Sequence, residues 1–224
     1  MLTQTQAEKL AQQQQTVVDN IIKEHYQMYL LDQLFASKIE GKIVFKGGTA
    51  LRLAYNSYRY SEDLDFSLIG NVDFADFEKV IITAVNLFPE ATLQDIYDKH
   101  FNLYAKINFK VGYKPIPIGV KVEMSKEKTD FPRQISLLIS PNNNLEVTAR
   151  VMNLESILKD KVKILTEYTR RQPRDLFDVW YIYQKLGREF KVEDRDKYTQ
   201  RELMNRLNPL LPVKNRKVME LFQI

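Results

Sequence analysis

Apolar positions recur at helical spacing near both ends of the chain and alternate with polar positions between them. Residues 7–38 predict helix with a break near Gln12–Gln15, and residues 63–69 alternate as in a strand. The same patterns predict strands at 43–45, around 101–111, 117–125 and near 134–139, and helices at 49–55, 73–88, 154–169, 173–186 and 199–222. Strands therefore mix with helices first, and helices alone follow.

This order of elements predicts an α/β (α+β) fold. We expect a small mixed sheet flanked by helices, followed by a helical C-terminal part. No internal repeat and no Gly/Ser-rich linker marks a junction, so a soft boundary near residue 150 divides the chain into residues 1–150 and 151–224.

Composition excludes several classes of protein. The 224 residues are 44% hydrophobic and 28% charged, which is typical of a globular chain with a substantial core. The absence of Cys excludes disulfides, thiol nucleophiles and iron–sulfur clusters, and two His argue against a His-based metal cluster. No apolar run reaches the roughly 18 residues of a membrane span, and the first residues lack a secretion signal, so a cytoplasmic location is expected.

Positive charge is concentrated in the last third of the chain. Residues 150–224 hold 17 Lys and Arg against 11 Asp and Glu, whereas residues 1–149 hold 16 against 18. Such asymmetry indicates a surface that faces a polyanion, or simply solvated helices.

Two aspartates share one face of the strand predicted at 63–69. Because side chains alternate along a strand, Asp63 and Asp65 lie together, opposite the apolar Leu64, Phe66 and Leu68. A divalent cation offsets the repulsion between two adjacent carboxylates, and Mg²⁺ is commonly bound by one or two carboxylates, waters and substrate phosphates. The alternative is a solvated strand edge.

A third carboxylate follows the same alternation in the strand predicted at 117–125. Lys121, Glu123 and Ser125 share its polar face. If this strand pairs with that of Asp63 and Asp65, the three carboxylates converge on a metal site. Taken alone, Glu123 is equally consistent with the surface of an amphipathic strand.

A Gly-Gly turn joins the strand at 43–45 to the helix at 49–55. Gly47 and Gly48 let the backbone approach a ligand, and the free N–H groups of a helix start bind phosphate. Thr49 would act as the N-cap or offer its hydroxyl to a phosphate. Lys46, Arg52 and Arg59 would add positive charge. The alternative is a turn that permits tight packing only.

A lysine interrupts the apolar stripe of the helix at 154–169. Lys161 lies among the stripe residues Leu154, Ile157, Leu158, Leu165 and Tyr168. It needs a partner or a ligand such as a triphosphate, unless its stem covers apolar surface and its ammonium reaches water.

Charged residues cluster at the start of the next predicted helix. The series Arg170, Arg171, Arg174, Asp175 and Asp178 either forms an Arg–Asp ion pair between helices or positions Lys161 or one end of a substrate.

These motifs together resemble a known family. FKGGTALRLAY at 45–55, SEDLDFSL at 61–68, LKDKVKIL at 158–165 and RRQPRDLFDVWYI at 170–182 are similar to AbiEii/AbiGii-type nucleotidyltransferase toxins, which include the MenT toxins and belong to the DNA polymerase β-like nucleotidyltransferase superfamily. The resemblance implies a mixed-sheet catalytic domain over residues 1–150, a helical part over 151–224 and an AbiEi-like antitoxin.

The resemblance also implies roles for individual residues. It assigns Gly47, Gly48 and Thr49 to the nucleotide phosphates and Asp63 and Asp65 to metal binding. It assigns Lys161 and Asp175 to downstream catalytic motifs. Glu123 fits the third-carboxylate position, although no distinctive motif surrounds it.

The sequence thus predicts a toxin that transfers a nucleotide from an NTP to the 3′ end of an RNA, tRNA in several family members, with two Mg²⁺ ions. Two alternatives stay open. One is transfer of a phosphoryl group to a protein hydroxyl, such as one in the antitoxin. The other is a non-catalytic module that binds nucleotide or RNA.

Overall fold

A mixed sheet organises the described part of the chain. The computed structural model describes residues 2–127, 132–167, 172–190 and 198–222. Within these ranges the sheet has seven strands in the order β3-β4-β5-β2-β1-β7-β6. The strands are β1 (Ile43–Lys46), β2 (Asp63–Leu68), β3 (Ala91–Asp98), β4 (Asn102–Phe109), β5 (Ile118–Ser125), β6 (Arg133–Ile139) and β7 (Glu146–Met152).

Helices precede, interrupt and follow these strands. They are α1 (Gln4–Gln14), α2 (Val18–Phe35), α3 (Gly47–Tyr55), α4 (Phe74–Asn86), α5 (Leu154–Glu167), α6 (Pro173–Lys185) and α7 (Gln200–Leu207). Thr3 starts α1 with a capping box, and Gln15 ends it in the left-handed conformation. Pro173 occupies the first turn of α6, where its missing N–H costs nothing.

Strand pairing at the centre of the sheet fixes the positions that matter for function. β2 runs antiparallel to β1 and parallel to β5. Asp63 lies in register with Lys121, and Asp65 lies in register with both Glu123 and Lys46. The pairing of β2 with β5, on which the interpretation of Glu123 depends, is therefore confirmed.

The two faces of the sheet have different neighbours. One face forms a large hydrophobic core with α1, α2 and α4, and it includes Leu64, Phe66 and Leu68 as predicted. On the other face Val44 joins a second hydrophobic cluster with α3, α5, α6 and α7. Because the C-terminal helices pack beside β1, the polar face of β2 and β5 is left open next to them.

The C-terminal helices are tied to the sheet by hydrogen bonds between distant segments. The Tyr55 hydroxyl donates to the Met152 carbonyl at 2.8 Å, and the Tyr181 hydroxyl donates to the Tyr55 carbonyl at 2.7 Å. Strand β7 runs across the boundary expected near residue 150. The division into residues 1–150 and 151–224 stays a prediction.

Most predicted elements are present, but the C-terminal helix and two strands differ from the prediction. The predicted helix over 199–222 is wrong as one element: α7 ends at Leu207, and short 3-10 helices at Asn208–Leu210 and Val213–Phe222 follow, since Pro209 and Pro212 interrupt it. Strands β3 and β7 were not predicted, although Val147, Ala149 and Val151 alternate in β7. Residues 168–171, with Tyr168, Arg170 and Arg171, lie outside the described residues.

Across the described ranges, no helix combines the length and apolar character needed to cross a membrane.

Candidate active site

A cleft of about 510 Å³ opens between the polar face of β2 and β5 and the helices α5 and α6. It brings together residues that are far apart in the chain. Gly47, Gly48, Asp63, Asp65, Glu123, Lys161 and Asp175 all line it. Seven of the eight predicted site residues therefore share one cavity, and Thr49 is not among its lining residues.

Asp63 and Asp65 project from neighbouring same-face positions of β2 into this cleft. Lys121 Nζ lies 3.6 Å from Asp63 Oδ1, so part of the negative charge at Asp63 is offset by a lysine of β5. Burial, followed by the charge of Asp63, raises the pKa of Asp65 from 3.8 to about 6, against the opposing charge of Lys161. The cleft therefore holds a carboxylate that is costly to ionise.

Glu123 lies beside Asp65 in the sheet but is held toward the next strand. The Asn102 amide on β4 donates to Glu123 Oε2 at 3.4 Å. Across the described ranges, no three His, Cys, Asp or Glu side chains are grouped closely enough to hold a metal ion together. In this arrangement Asn102 contacts Glu123 and Lys121 lies beside Asp63, so the convergence of the three carboxylates on a metal ion stays a prediction.

The residues nevertheless fit a magnesium ion. Mg²⁺ is usually bound by one or two carboxylates, with waters and substrate phosphates completing its coordination. Asp63 and Asp65 supply this donor set on one strand. Burial, followed by the charge of Asp63, raises the pKa of Asp65, as expected for a carboxylate that a bound cation would stabilise.

Both glycines of the turn are in close contact with charged residues of the cleft. Gly47 has φ +78°, and a Cβ atom there would lie 2.4 Å from Asp65 Oδ2. A Cβ atom on Gly48 would lie 2.2 Å from a guanidinium nitrogen of Arg59 and 2.8 Å from Ser61 Oγ. The turn therefore permits tight packing, and the groups it packs against line the cleft.

Thr49 has a structural contact instead of the predicted cap. Helix α3 begins at Gly47 with Lys46 as N-cap, so the N-cap prediction is wrong. Thr49 is buried, and its hydroxyl donates to the Asp63 carbonyl at 2.5 Å. This bond connects the start of α3 to the strand that carries the carboxylates. The helix begins at Gly47 because the positive φ of Gly47 turns the chain directly from β1 into the helix.

Lys161 is buried at the edge of the cleft. Its ammonium lies 2.7 Å from Asp175 Oδ1 and 3.0 Å from Asp178 Oδ2. Burial lowers the pKa of Lys161, but the charges of Asp178 and Asp175 outweigh burial and raise it above its usual value. Asp175 and Asp178 of the predicted cluster thus contact Lys161, whereas Arg174 lies 3.7 Å from Glu62, and Arg170 and Arg171 lie outside the described residues.

Asp178 also forms the ion pair that joins α6 to the loop after α3. Arg59 Nε and a terminal Arg59 nitrogen each donate to Asp178 at 2.8 Å, and both side chains are buried. Arg52, also expected to add charge to the site, is instead buried against Glu24 and above the Tyr60 ring. Arg59 belongs to the site and Arg52 does not.

Sequence reasoning missed Asp160 and Asn102 as site residues. Lys46 Nζ lies 3.0 Å from Asp160 Oδ2, and both residues line the cleft. Asp160 directly precedes Lys161, so its position in the motif LKDKVKIL is the one signal in the sequence that could have identified it.

The fold is similar to that of solved protein structures at low sequence identity. The structure is similar to MenT4, a nucleotidyltransferase toxin from Mycobacterium tuberculosis, with a TM-score of 0.66 at 17% identity over 99% of this chain and 87% of that one. It is also similar to JHP933 from Helicobacter pylori, with a TM-score of 0.60 at 20% identity over 92% of this chain and 89% of that one.

The sequence identifies the family. Residues 29–220 match the model of the family described as nucleotidyl transferase AbiEii toxin, type IV toxin–antitoxin system, and the chain belongs to this family. No curated protein sequence matches the chain. The resemblance and the fold class inferred from the sequence are confirmed.

Proposed function

We propose that this chain is a magnesium-dependent enzyme that transfers a nucleotide from an NTP to the 3′-hydroxyl of an RNA, with tRNA as the acceptor. One observation carries the proposal. Two carboxylates on one strand face share a cleft with a Gly-Gly helix start and a buried lysine. This combination supplies what nucleotidyl transfer needs: a place for cations, a place for phosphates and a fixed positive charge.

The phosphates of the NTP would lie at the start of α3. The helix dipole and the free N–H groups around Gly47 and Gly48 attract anions there. Thr49 contributes through its backbone, since its hydroxyl is engaged with the Asp63 carbonyl. Lys161 neutralises phosphate charge from the opposite wall, and Asp175 holds its ammonium in place.

Asp63 and Asp65 would hold two magnesium ions, the number found in other two-metal sites. Glu123 would contribute to the binding of one of them. When bound, the ions stabilise charge on the attacking and leaving oxygens. Glu123, on the outer side of the pair, faces the side from which an acceptor hydroxyl would enter.

The family also implies a partner. As a member of a type IV toxin–antitoxin family, the chain has an antitoxin as its functional counterpart. We propose that this antitoxin is AbiEi-like and that toxin and substrates meet in the cytoplasm.

The decisive experiment is a transfer assay. The purified chain is incubated with total tRNA, Mg²⁺ and each of the four NTPs labelled at the α-phosphate. We expect label in the RNA from at least one NTP, loss of labelling with EDTA, and loss in Asp65→Asn. Undiminished labelling by Asp65→Asn would contradict the assignment of the site.

The same assay separates the alternatives. Label that moves to protein only from the γ-phosphate would identify a phosphotransferase acting on a protein hydroxyl. RNA binding that is indifferent to Mg²⁺ and to Asp63→Asn, with no transfer of either label, would identify a non-catalytic module.

A further inference from the structure

The face of the sheet that carries the carboxylates continues past the cleft to the edge strand β3. Cross-strand partners form one row over four strands: Asp65 pairs with Glu123, Glu123 with Tyr104, and Tyr104 with Tyr97. Adjacent strands lie about 4.8 Å apart, so the row extends roughly 14 Å from Asp65 to Tyr97. The catalytic carboxylates and the two tyrosines thus share one continuous surface.

The outer end of this row is aromatic and open to solvent. The rings of Tyr97 and Tyr104 lie 6.0 Å apart at an angle of 20°. Tyr97 is 48% exposed, and Phe101, at the turn between β3 and β4, is 78% exposed. The core is made by the opposite face of β4, through Leu103, Ala105 and Ile107. The packing of the core therefore does not account for these rings.

Positive charge accompanies the rings. Lys99 Nζ lies 4.3 Å above the Tyr104 ring and 5.5 Å from the Tyr97 ring. A second row, parallel to the first, places Lys106 between Lys121 and Asp95. The acidic groups near the rings are already engaged: Asp95 accepts from the Tyr97 hydroxyl at 2.9 Å, and Asp98 is paired with Lys126.

Flat rings interleaved with lysines beside a nucleotidyltransferase site fit a single-stranded nucleic acid. Unpaired bases stack on aromatic side chains, while lysines contact the phosphates between them. A duplex end is less suitable, because its bases are already stacked on each other. A strand that leaves the cleft past Glu123 reaches Tyr104 first and Tyr97 next.

We propose that Tyr97 and Tyr104, with Lys99 and Lys106, bind the last unpaired nucleotides of the acceptor RNA and direct its 3′ end toward Glu123 and Asp65. This inference rests on the proposed function for the direction of the strand. The binding surface itself is testable without catalysis.

The test measures binding of a short, fluorescein-labelled single-stranded RNA to the full chain by anisotropy, with Mg²⁺ and without NTP. Tyr97→Ala and Tyr104→Ala should each raise the Kd about tenfold, the range typical of one lost base–aromatic contact. Tyr104→Phe keeps the ring and should bind within about twofold of the parent. Ile135→Ala, at a 61% exposed residue on the opposite edge strand β6, serves as the matched control.

Two further measurements make the result decisive. Lys99→Gln should lower the slope of log Kd against log salt by about one, which tests the surface without removing a ring. A blunt RNA duplex of the same sequence should bind more weakly than the single strand. Single-strand Kd values within twofold of the parent in Tyr97→Ala, Tyr104→Ala and Lys99→Gln would overturn the inference.

Failure of this inference is distinguishable from failure of the proposed function. If the parent chain labels RNA from an α-labelled NTP while the tyrosine variants bind RNA normally, the surface is wrong and the function stands. If RNA binding depends on the tyrosines but no NTP yields labelled RNA, the surface stands and the proposed transfer to RNA is wrong.

Discussion

The ammonium of Lys161 lies 2.7 Å from the carboxylate of Asp175, across the contact between α5 and α6. Both side chains are buried, so the pair is shielded from solvent and holds the lysine at the edge of the cleft. The position of Lys161 in an apolar helix stripe is explained by this partner. The lysine therefore has two roles that experiments can separate. The stability of the protein requires that buried Asp175 has a partner or carries no charge, whereas phosphate binding requires the positive charge of Lys161.

Replacing Lys161 by Met should remove activity and also destabilise the protein. Asp175 would be left buried without its main partner, which costs roughly 3 kcal/mol in comparable sites. The double variant Lys161→Met with Asp175→Asn should recover much of this stability and none of the activity. Urea unfolding and the transfer assay measure the two effects, with Lys159→Met, at an exposed position of the same helix, as control. Transfer activity in the double variant would contradict the proposed role.

Gly47→Ala should abolish transfer while the same change at Gly41 is harmless. A Cβ atom at residue 47 would meet the Asp65 carboxylate and would sit at φ +78°, whereas one at Gly41 meets nothing within 4 Å. The backbone strain should lower the free energy of unfolding by about 1–3 kcal/mol, and the displaced carboxylate should lower turnover at least a hundredfold. Normal turnover in Gly47→Ala would mean that Asp65 does not have to hold this position.

Asp65→Asn should stabilise the protein without its substrates while abolishing activity. The raised pKa of Asp65 means that its negative charge is unfavourable in the fold, and an amide removes that charge. We expect a gain on the order of 2–3 kcal/mol at pH 7.5, which is what a rise of the pKa from 3.8 to about 6 corresponds to. Thermal unfolding in EDTA tests this gain. Asp32→Asn, on α2 and outside the cleft lining, is the control. A loss of stability in Asp65→Asn would show that the carboxylate supports the fold.

The stability gained by Asp65→Asn should also depend on pH. The folded-state pKa of Asp65 is about 6, above its usual 3.8, so the folded state binds the proton more tightly than the unfolded state. The penalty for ionised Asp65 is therefore complete above about pH 6 and diminishes as the pH falls toward 4. The difference in unfolding free energy between Asp65→Asn and the parent should shrink over this interval. A constant difference from pH 8 to pH 4 would contradict the shift.

Local patterns in the sequence were sufficient to predict part of the site. Alternation along one strand places Asp63 and Asp65 on a shared face whatever the rest of the fold does. The helical stripe marks Lys161 as a buried cation for the same reason. Such predictions depend only on the repeat of a single element, and the structure agrees with them.

Contacts between distant segments were not predictable in this way. Arg59 and Asp178 are 119 positions apart, and Lys46 and Asp160 are 114 apart, so no local repeat relates them. The misplaced cap at Thr49 has a local cause: the left-handed φ of Gly47 starts α3 two residues early. Glu123 lies between these cases, since its strand was predicted but its bond from Asn102 depends on the neighbouring strand.

Arg59→Lys should weaken both the fold and the site, although the charge is kept. Arg59 donates two bonds of 2.8 Å to Asp178 and a third of 2.9 Å to the Tyr60 carbonyl, a geometry that one ammonium cannot reproduce. Because Asp178 is fully buried and also contacts Lys161, the loss should cost about 2–4 kcal/mol and reduce turnover through a displaced lysine.

Arg174→Lys is the matched control for the effect on stability only, since Arg174 itself lines the cleft. Its side chain is 37% exposed and its guanidinium lies 3.7 Å from Glu62, so the same substitution should change stability by less than about 0.5 kcal/mol. Urea unfolding gives the free energies, and the transfer assay gives turnover and KM for NTP. If Arg59→Lys proved as mild as Arg174→Lys, the bidentate pair would contribute little to the fold, and Lys161 would have to be held by Asp175 alone.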